Sequence, residues 1–570
     1  MKNKKKILII SLITAVILAL GAFFSLKITP VRQLVKYTIN SIRNNEVLYS
    51  IYYQNNVPYY NLSEIDFDKN DVREIQVTKD RKTLINHSRG FSLSFPLDAE
   101  FDFTAAQEYI SVKCKNMSAV ISKEYSTYPD VGQTKQFVDD YLHKYMLDKK
   151  YMEQNKITLH KNSLEKIGDF WVQVVALSRT PLPDSPVKYN SYVYCYIYTD
   201  STMFYRIMFK APEYTDELME EIYRTLYSFS INVPVRGPSD TYTDFKPIIP
   251  EFWSQETKDF YNKLVNQDGC KWGLYQPLAV VNNDFTDIYK VEKEINYKFD
   301  GLLEYRYYFE DMPVEGIKKA YEEGKIIELT LQTSTVMNEN LDGYNPVFDI
   351  LDGMYDWRFR IMANQIKEIG HPILFRLNNE MNSDWTSYGS SACLDDPEIY
   401  VELWRKIYNI FKDEGVDNAI WIFNPNDESY PPCGYNSTIA FYPGDEYVQL
   451  FGVTGYNTGT YYAVENGEKW KTFSEIYDNI MEKHHKIYGK FPWIITEFAS
   501  SSVGGDKVQW INDMFDNIKN YPNIKMAFWF NSADIDPRDE TQQTVARPYW
   551  LNETPETAKA FSDGLNHNNP

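Results

Sequence analysis

The chain is sparing with the residues that carry metal, redox and disulfide chemistry. Five cysteines occur in 570 residues and no two stand as CxxC, so neither a zinc ribbon nor a disulfide scaffold is indicated. Seven histidines are scattered along it. His484 and His485 adjoin on an expected helix, where neighbours point in different directions and cannot chelate one ion. We therefore expect no metal and no cofactor. No GxGxxG follows a first strand, which argues against an open doubly wound sheet. Positive charge is also short: 59 Lys and Arg stand against 79 Asp and Glu, a formal charge of −20. A phosphate backbone repels so acidic a surface, and no basic patch lies beyond the N-terminus, so nucleic acid is not an expected partner.

What is present begins with an uncharged apolar run from Ile7 to Leu26, preceded by Lys2, Lys4, Lys5 and Lys6. At ~1.5 Å per residue such a run just crosses a bilayer of about 30 Å, with its basic flank in the cytoplasm. Residues 1–30 read as a signal anchor, a transmembrane helix, or as a cleaved signal peptide. Either way the working part lies outside, tethered to the cell membrane or secreted. A length of 570 residues with 43% hydrophobic content suits two folded units after this leader. Aromatics make up 16% of the chain, including 46 Tyr and 12 Trp, which serve either packing or as flat platforms for sugar rings.

Residues 40–233 have the texture of a smaller α+β accessory module. Phe91–Pro96 alternates as a half-buried strand does. Trp171–Leu177, Tyr189–Tyr198 and Met203–Phe209 read as strands, with a turn at Asp200 and Ser201. Gln133–Leu147 and Asp216–Phe229 read as helices. No convergent carboxylates appear here, so the module is expected to bind a protein or glycan partner or to act as a spacer. Its opening Gly90–Pro96 and closing helix resemble small PsbP-like domains. Residues 234–250, with Pro234, Gly237, Pro238, Pro247 and Pro250, form the expected linker.

Residues 251–570 alternate short apolar runs with helical patterns. The expected strands are Trp272–Val280, Gly301–Phe309, Ile326–Leu331, Ile373–Asn378, Ala419–Phe423, Phe451–Tyr456, Trp493–Thr496 and Met526–Phe530. Helices are expected over Val347–Ile369, Pro397–Glu414, Phe473–Tyr488 and Lys507–Lys519. This is the pattern of an α/β fold closed as a (β/α)8 TIM barrel, whose active site is built from the loops after the strands. Cys393 and Cys433 each follow a strand and could bridge outside the cell.

Two glutamates stand at the ends of such strands. Glu380 follows the fourth and Glu497 ends the seventh. Burying a carboxylate there costs free energy unless it is paired or working. An isolated strand-end glutamate is most simply a structural ion pair. Here Asn378, Asn379 and Asn382 place amides around Glu380, and Trp385 and Tyr388 follow in the same loop. Tyr456 ends the strand before Glu497, from where it could hydrogen-bond that acid, and Trp529 lies near the end of the eighth strand, where it could stack under a sugar ring. Facing carboxylates about 5–5.5 Å apart cleave a glycosidic bond with retention, one as acid and one as nucleophile. The competing reading is a non-catalytic carbohydrate-binding or envelope-assembly protein on a degenerate barrel.

The residues Arg376-x-x-x-Glu380-Met381-Asn382 with Trp385, then Tyr442-Pro443-Gly444-Asp445-x-Tyr447-Val448, then Gly452-x-x-Gly455-Tyr456-Asn457, then Ile495-Thr496-Glu497-Phe498, resemble family 26 of the glycoside hydrolases, in clan A. That resemblance implies a retaining endo-β-glycanase acting on a β-linked polysaccharide, a β-1,4-mannan or a β-glucan. It implies Glu380 as acid/base, Glu497 as nucleophile, Tyr456 steadying the nucleophile, and Trp529 as the platform below the cleaved sugar. Arg376, Asn379, Trp385, Tyr456 and Trp529 form the expected substrate-binding set. Mannanases of the family commonly carry His where this chain has Asn379, which favours a gluco-configured substrate or an unusual exopolysaccharide.

Overall fold

The computed structural model describes residues 73–87, 89–126, 134–143, 146–199, 202–232, 245–334 and 345–568. The leader, the turn at 200–201 and residues 234–244 of the linker lie outside them. Among the described residues no helix is long and apolar enough to cross a membrane.

Among the described residues, eleven strands precede the barrel. They are β1 (Arg73–Val77), β2 (Arg81–Asn86), β3 (Phe91–Pro96), β4 (Glu100–Asp102), β5 (Tyr109–Lys113), β6 (Ser118–Tyr125), β7 (Ile157–Ile167), β8 (Phe170–Arg179), β9 (Ser191–Tyr198), β10 (Met203–Ala211) and β11 (Ser230–Ile231). Seven of them form an antiparallel sheet in the order β4-β5-β6-β10-β9-β8-β7, and β1-β2-β3-β11 form a second sheet. Alternation along β9 sends Val193, Cys195 and Ile197 to one face of the larger sheet and Tyr192, Tyr194 and Tyr196 to the other. The first face packs with Leu218, Ile222 and Leu226 of the helix Asp216–Tyr227. The tyrosine face joins the same apolar cluster as the barrel's outer layer. Both faces are covered, which is why every residue from Ser191 to Ile197 is buried.

The second unit is the expected barrel. Its strands are β12 (Lys271–Tyr275), β13 (Gly301–Tyr307), β14 (Ile326–Gln332), β15 (Ile373–Leu377), β16 (Ala419–Phe423), β17 (Leu450–Asn457), β18 (Trp493–Ser500) and β19 (Ile524–Phe530). Neighbours are parallel, and β12 pairs with β19 to close the cylinder. Leu303, Leu374, Ile420, Ile422, Ile494, Met526 and Phe528 fill the interior. Their neighbours Leu302, Phe375, Trp421, Ile495 and Trp529 face the helices instead. The helix Gln255–Asn266 plugs the N-terminal end, where Tyr261 donates to the carbonyl of Gln449.

Helix boundaries follow their caps. Phe473–Tyr488 starts at a reciprocal capping box of Thr472 and Glu475. The single helix expected over 347–369 is two, Pro346–Leu351 and Asp356–Ile369, parted at Gly353 with φ 85°. The helix expected over 133–147 is one short turn, Thr134–Phe137, running into a π-helical turn, Val138–Leu142. Cys393 and Cys433 are buried and free, so the bridge between them is not made.

Candidate active site

Both glutamates reach the C-terminal mouth of the barrel, but by different backbone devices. In β18, Ile494 faces the interior and Ile495 the helices. Strict alternation would turn Thr496 inward and Glu497 outward. The register against β19 slips between Ile495 and Phe498, and against β17 between Val453 and Thr454. This bulge points Thr496 and Glu497 both toward the interior. Glu380 lies just beyond β15, where Asn378 and Glu380 take φ of 55° and 54°. Such left-handed turns in non-glycine residues persist only when the surroundings fix them. The fixing is visible: the amide of Glu380 donates to the carbonyl of Asn424 at 2.9 Å, and the side chain of Asn378 accepts from the amide of Thr333 at 2.8 Å.

Around Glu497 every contact suits an anion. Arg376 Nη1 donates to its Oε1 at 2.6 Å and Tyr456 Oη to its Oε2 at 3.0 Å. Arg376 also donates to Asn424 Oδ1 at 2.7 Å and Thr330 Oγ1 at 2.6 Å, and pairs with Glu328 at 2.9 Å. Arg376 and Glu328 are wholly buried. One guanidinium thus faces two acids. Burial, with the Glu497 charge adding to it, pushes Glu328 up to about 8 despite the pull of Arg376. Arg376 meets the two acids through different nitrogens, Nε toward Glu328 and Nη1 toward Glu497.

Glu380 has the opposite surroundings. Among the described residues its one polar side-chain partner is Trp385, whose Nε1 donates to Oε2 at 3.1 Å. Dehydration first, and the Glu497 charge second, raise its carboxyl to about 8. One edge remains open to the mouth. One acid is thus prepared to give a proton and the other to carry charge, which is the division that glycosidic cleavage requires.

Asn379 is held by Gln332, which donates to its Oδ1 at 2.8 Å, and by Tyr388, whose hydroxyl reaches its carbonyl and Oδ1 at 2.9 and 3.0 Å. With the oxygen engaged, the amide nitrogen is the end left for a ligand. Trp385 is half-buried and tilts against Tyr430, with ring centres 5.2 Å apart. Tyr456 lies beside Glu497.

Two of the expected substrate contacts are placed elsewhere. Arg376 has no exposed surface and holds Glu497 instead of a ligand. Trp529 is fully buried behind the barrel wall, packed with Phe498, Trp510 and Phe561, and its indole donates to the carbonyl of Tyr549. It is one residue out of register: its neighbour Phe530 turns to the mouth, stacked on Tyr275 at 4.7 Å and edge-on to Tyr456 at 5.9 Å. Glu328, Gln332, Asn424, Thr496 and Phe530 were not singled out from the sequence. Glu328 had a signal, an acid inside the apolar run Ile326–Leu331. Asn424 directly follows the buried strand Ala419–Phe423, the position from which barrels build their sites.

A closed parallel (β/α)8 barrel with an uncharged acid facing an arginine-held carboxylate at its C-terminal mouth has the layout of a glycoside hydrolase. Residues 275–498 match the model of Glycosyl hydrolase family 26. A stretch of 225 residues is 32% identical to Endoglucanase H of Acetivibrio thermocellus, covering 39% of this chain and 23% of that protein. A stretch of 136 residues is 31% identical to a mannan endo-1,4-beta-mannosidase of Bacillus subtilis, covering 23% of this chain and 33% of that protein. The chain thus spans no more than a third of the length of these relatives. Among solved structures, the catalytic domain of a Bacillus sp. JAMB-750 GH26 endo-beta-1,4-mannanase aligns over 57% of this chain and 93% of its own, at 18% identity and TM-score 0.42. The family match falls within the barrel, from the end of β12 into β18.

Proposed function

We propose that the protein is an endo-acting β-glycanase that hydrolyses a β-linked polysaccharide by double displacement outside the cytoplasmic membrane. The observation that carries this is the asymmetry of the acids: Glu380 dehydrated and raised to about 8, Glu497 clamped by Arg376 and Tyr456. In the first step a Glu497 oxygen attacks the anomeric carbon, the glycosidic bond breaks, and Glu380 passes its proton to the leaving oxygen. In the second, Glu380 takes a proton from water, the water oxygen attacks the same carbon, and the bond to Glu497 breaks with net retention. Trp385 fixes the orientation of Glu380 in both steps. Asn379 offers its amide to a sugar hydroxyl, and Phe530 offers a ring face. The position outside the membrane follows from the basic and apolar leader.

For the substrate we infer a gluco-configured chain first and a mannan second. Asn379 in place of histidine supports this, and so does the longer match to an endoglucanase than to mannosidases. The test is product analysis on mixed-linkage glucan, glucomannan and mannan for wild type and Glu497→Ala. Oligosaccharides from glucan with the wild type alone support the reading. Equal activity of the two proteins removes Glu497 from the mechanism, and cleavage of mannan alone reverses the substrate order.

A further inference from the structure

The larger sheet of the accessory module is covered on both faces along β9. Its tyrosine face lies against the barrel, and the meeting point is the loop that carries Glu380. That loop runs to Asp396, where the helix Pro397–Asp413 begins. Near its end Leu394 and Asp395 take φ of 57° and 48°, two left-handed residues in succession. Non-glycine residues stay there only when their surroundings dictate it. The dictation comes from the module. Tyr151 Oη donates to the carbonyl of Ala392 and Tyr194 Oη to that of Leu394. Arg206 Nη2 donates to the carbonyl of Asp395 at 2.9 Å, and Lys210 Nζ to the carboxylate of Asp396 at 2.8 and 3.0 Å. All four donors are buried.

The next barrel loop is tied in the same way. Glu124 of the module accepts from the amides of Gly434 and Tyr435 at 2.9 and 3.4 Å. Gly434 comes so close that a Cβ there would sit 2.5 Å from the carbonyl oxygen of Glu108. Asn436 then donates to the carbonyl of Asn382 at 2.9 Å and accepts from Ser390 at 2.7 Å. Within the first loop, Asp395 donates back to Ser390, and Tyr388 clamps Asn379, the residue before Glu380.

We propose that the module of residues 73–232 is a fixed buttress of the active-site mouth, and that Tyr151, Tyr194, Arg206 and Lys210 are positioning residues for the loop bearing Glu380. The module's partner is therefore its own barrel. Three of these residues, Tyr151, Tyr194 and Arg206, act on backbone carbonyls, which carry no sequence signature, so the sequence offered no catalytic pattern in the module. The proposal rests on the hydrolase reading above, and its test separates the two.

The test is the double variant Tyr151→Phe/Tyr194→Phe in the full chain. It removes two hydroxyl donors and keeps both rings. Hydrogen exchange of amides 383–396 should quicken by about tenfold while the barrel strands are unchanged. The kcat on an oligosaccharide should fall by about tenfold, since a loop displaced by ~1 Å can cost up to ~100-fold. An activated aryl glycoside, which hardly needs the acid, should be spared, and KM should move little. The basic limb of the pH profile should shift to lower pH as Glu380 gains water. Unchanged exchange overturns the buttress. Faster exchange with unchanged kinetics, or equal loss on both substrates in step with the folded fraction, overturns the positioning role. If wild type cleaves no glycan, the hydrolase reading fails, and exchange alone decides the buttress. Should the double variant not fold, Tyr194→Phe alone carries the same readouts.

Discussion

Replacing the acid should make this protein more stable. Glu380 stays protonated in the native state up to about 8, against an ordinary value of 4.5. The sign follows from proton linkage. A carboxyl raised on folding contributes its full stability below 4.5 and loses it as pH climbs toward 8, because the unfolded chain releases a proton that the native state keeps. At about 1.4 kcal/mol per pH unit, the native state at pH 7 is destabilised by on the order of 3 kcal/mol. One edge of Glu380 is open to the mouth, so this is an upper bound. Glu380→Gln is neutral at every pH, nearly isosteric, and still offers an oxygen to Trp385. It should exceed wild type by about 1–3 kcal/mol near pH 7.5, with the gap closing near pH 4. The same variant should lose about 10²–10⁴-fold on an unactivated glycan and much less on an aryl glycoside. The assay is denaturant unfolding of both proteins at the two pH values. A stability difference that does not change with pH would refute the claim that the Glu380 carboxyl is dehydrated and raised.

The other expectations concern its neighbours. Arg376→Met leaves Glu497 without its cation and Glu328 buried alone, so unfolding should be easier by ~3–5 kcal/mol, with Glu328→Gln in the same chain recovering part. A loss below ~1 kcal/mol would contradict the buried cluster. Tyr456→Phe should lower kcat several-fold, as one hydrogen bond of about 1 kcal/mol is lost, with an unchanged melting temperature. Trp529→Ala should cost ~3–5 kcal/mol of stability as a core cavity, whereas Phe530→Ala should raise KM and leave the fold intact. The reverse pattern would restore Trp529 as the sugar platform.

Much of the barrel was readable in the chain. Short apolar runs bounded by turn residues are local signals, and their alternation with helical periods allows few topologies. Even so, the first strand stops at Tyr275, short of the expected Val280, because Leu278 turns at φ 62°. Val347–Ile369 reads as one helix by its apolar spacing, which is indifferent to the break at Gly353. In β9 the alternation Tyr-Val-Tyr-Cys-Tyr-Ile had no polar face, a sign that both sides are covered. What covers the tyrosine side lies about 200 residues later in the chain, beyond the reach of local pattern.

The sequence by itself determined that strands and helices alternate, that acids stand at two strand ends, and that a tyrosine lies within reach of one of them. The first two are set by residue types within a few positions of one another; the third follows from the order of the strands, since Tyr456 and Glu497 end consecutive ones. Tertiary structure alone decided which way those side chains face. Strand side chains alternate with a period of two, so one bulged residue turns Glu497 inward and one step of register separates Trp529 from Phe530. It also decided that Arg376 serves the nucleophile and that the module grips the acid's loop, because both contacts join residues more than 100 positions apart.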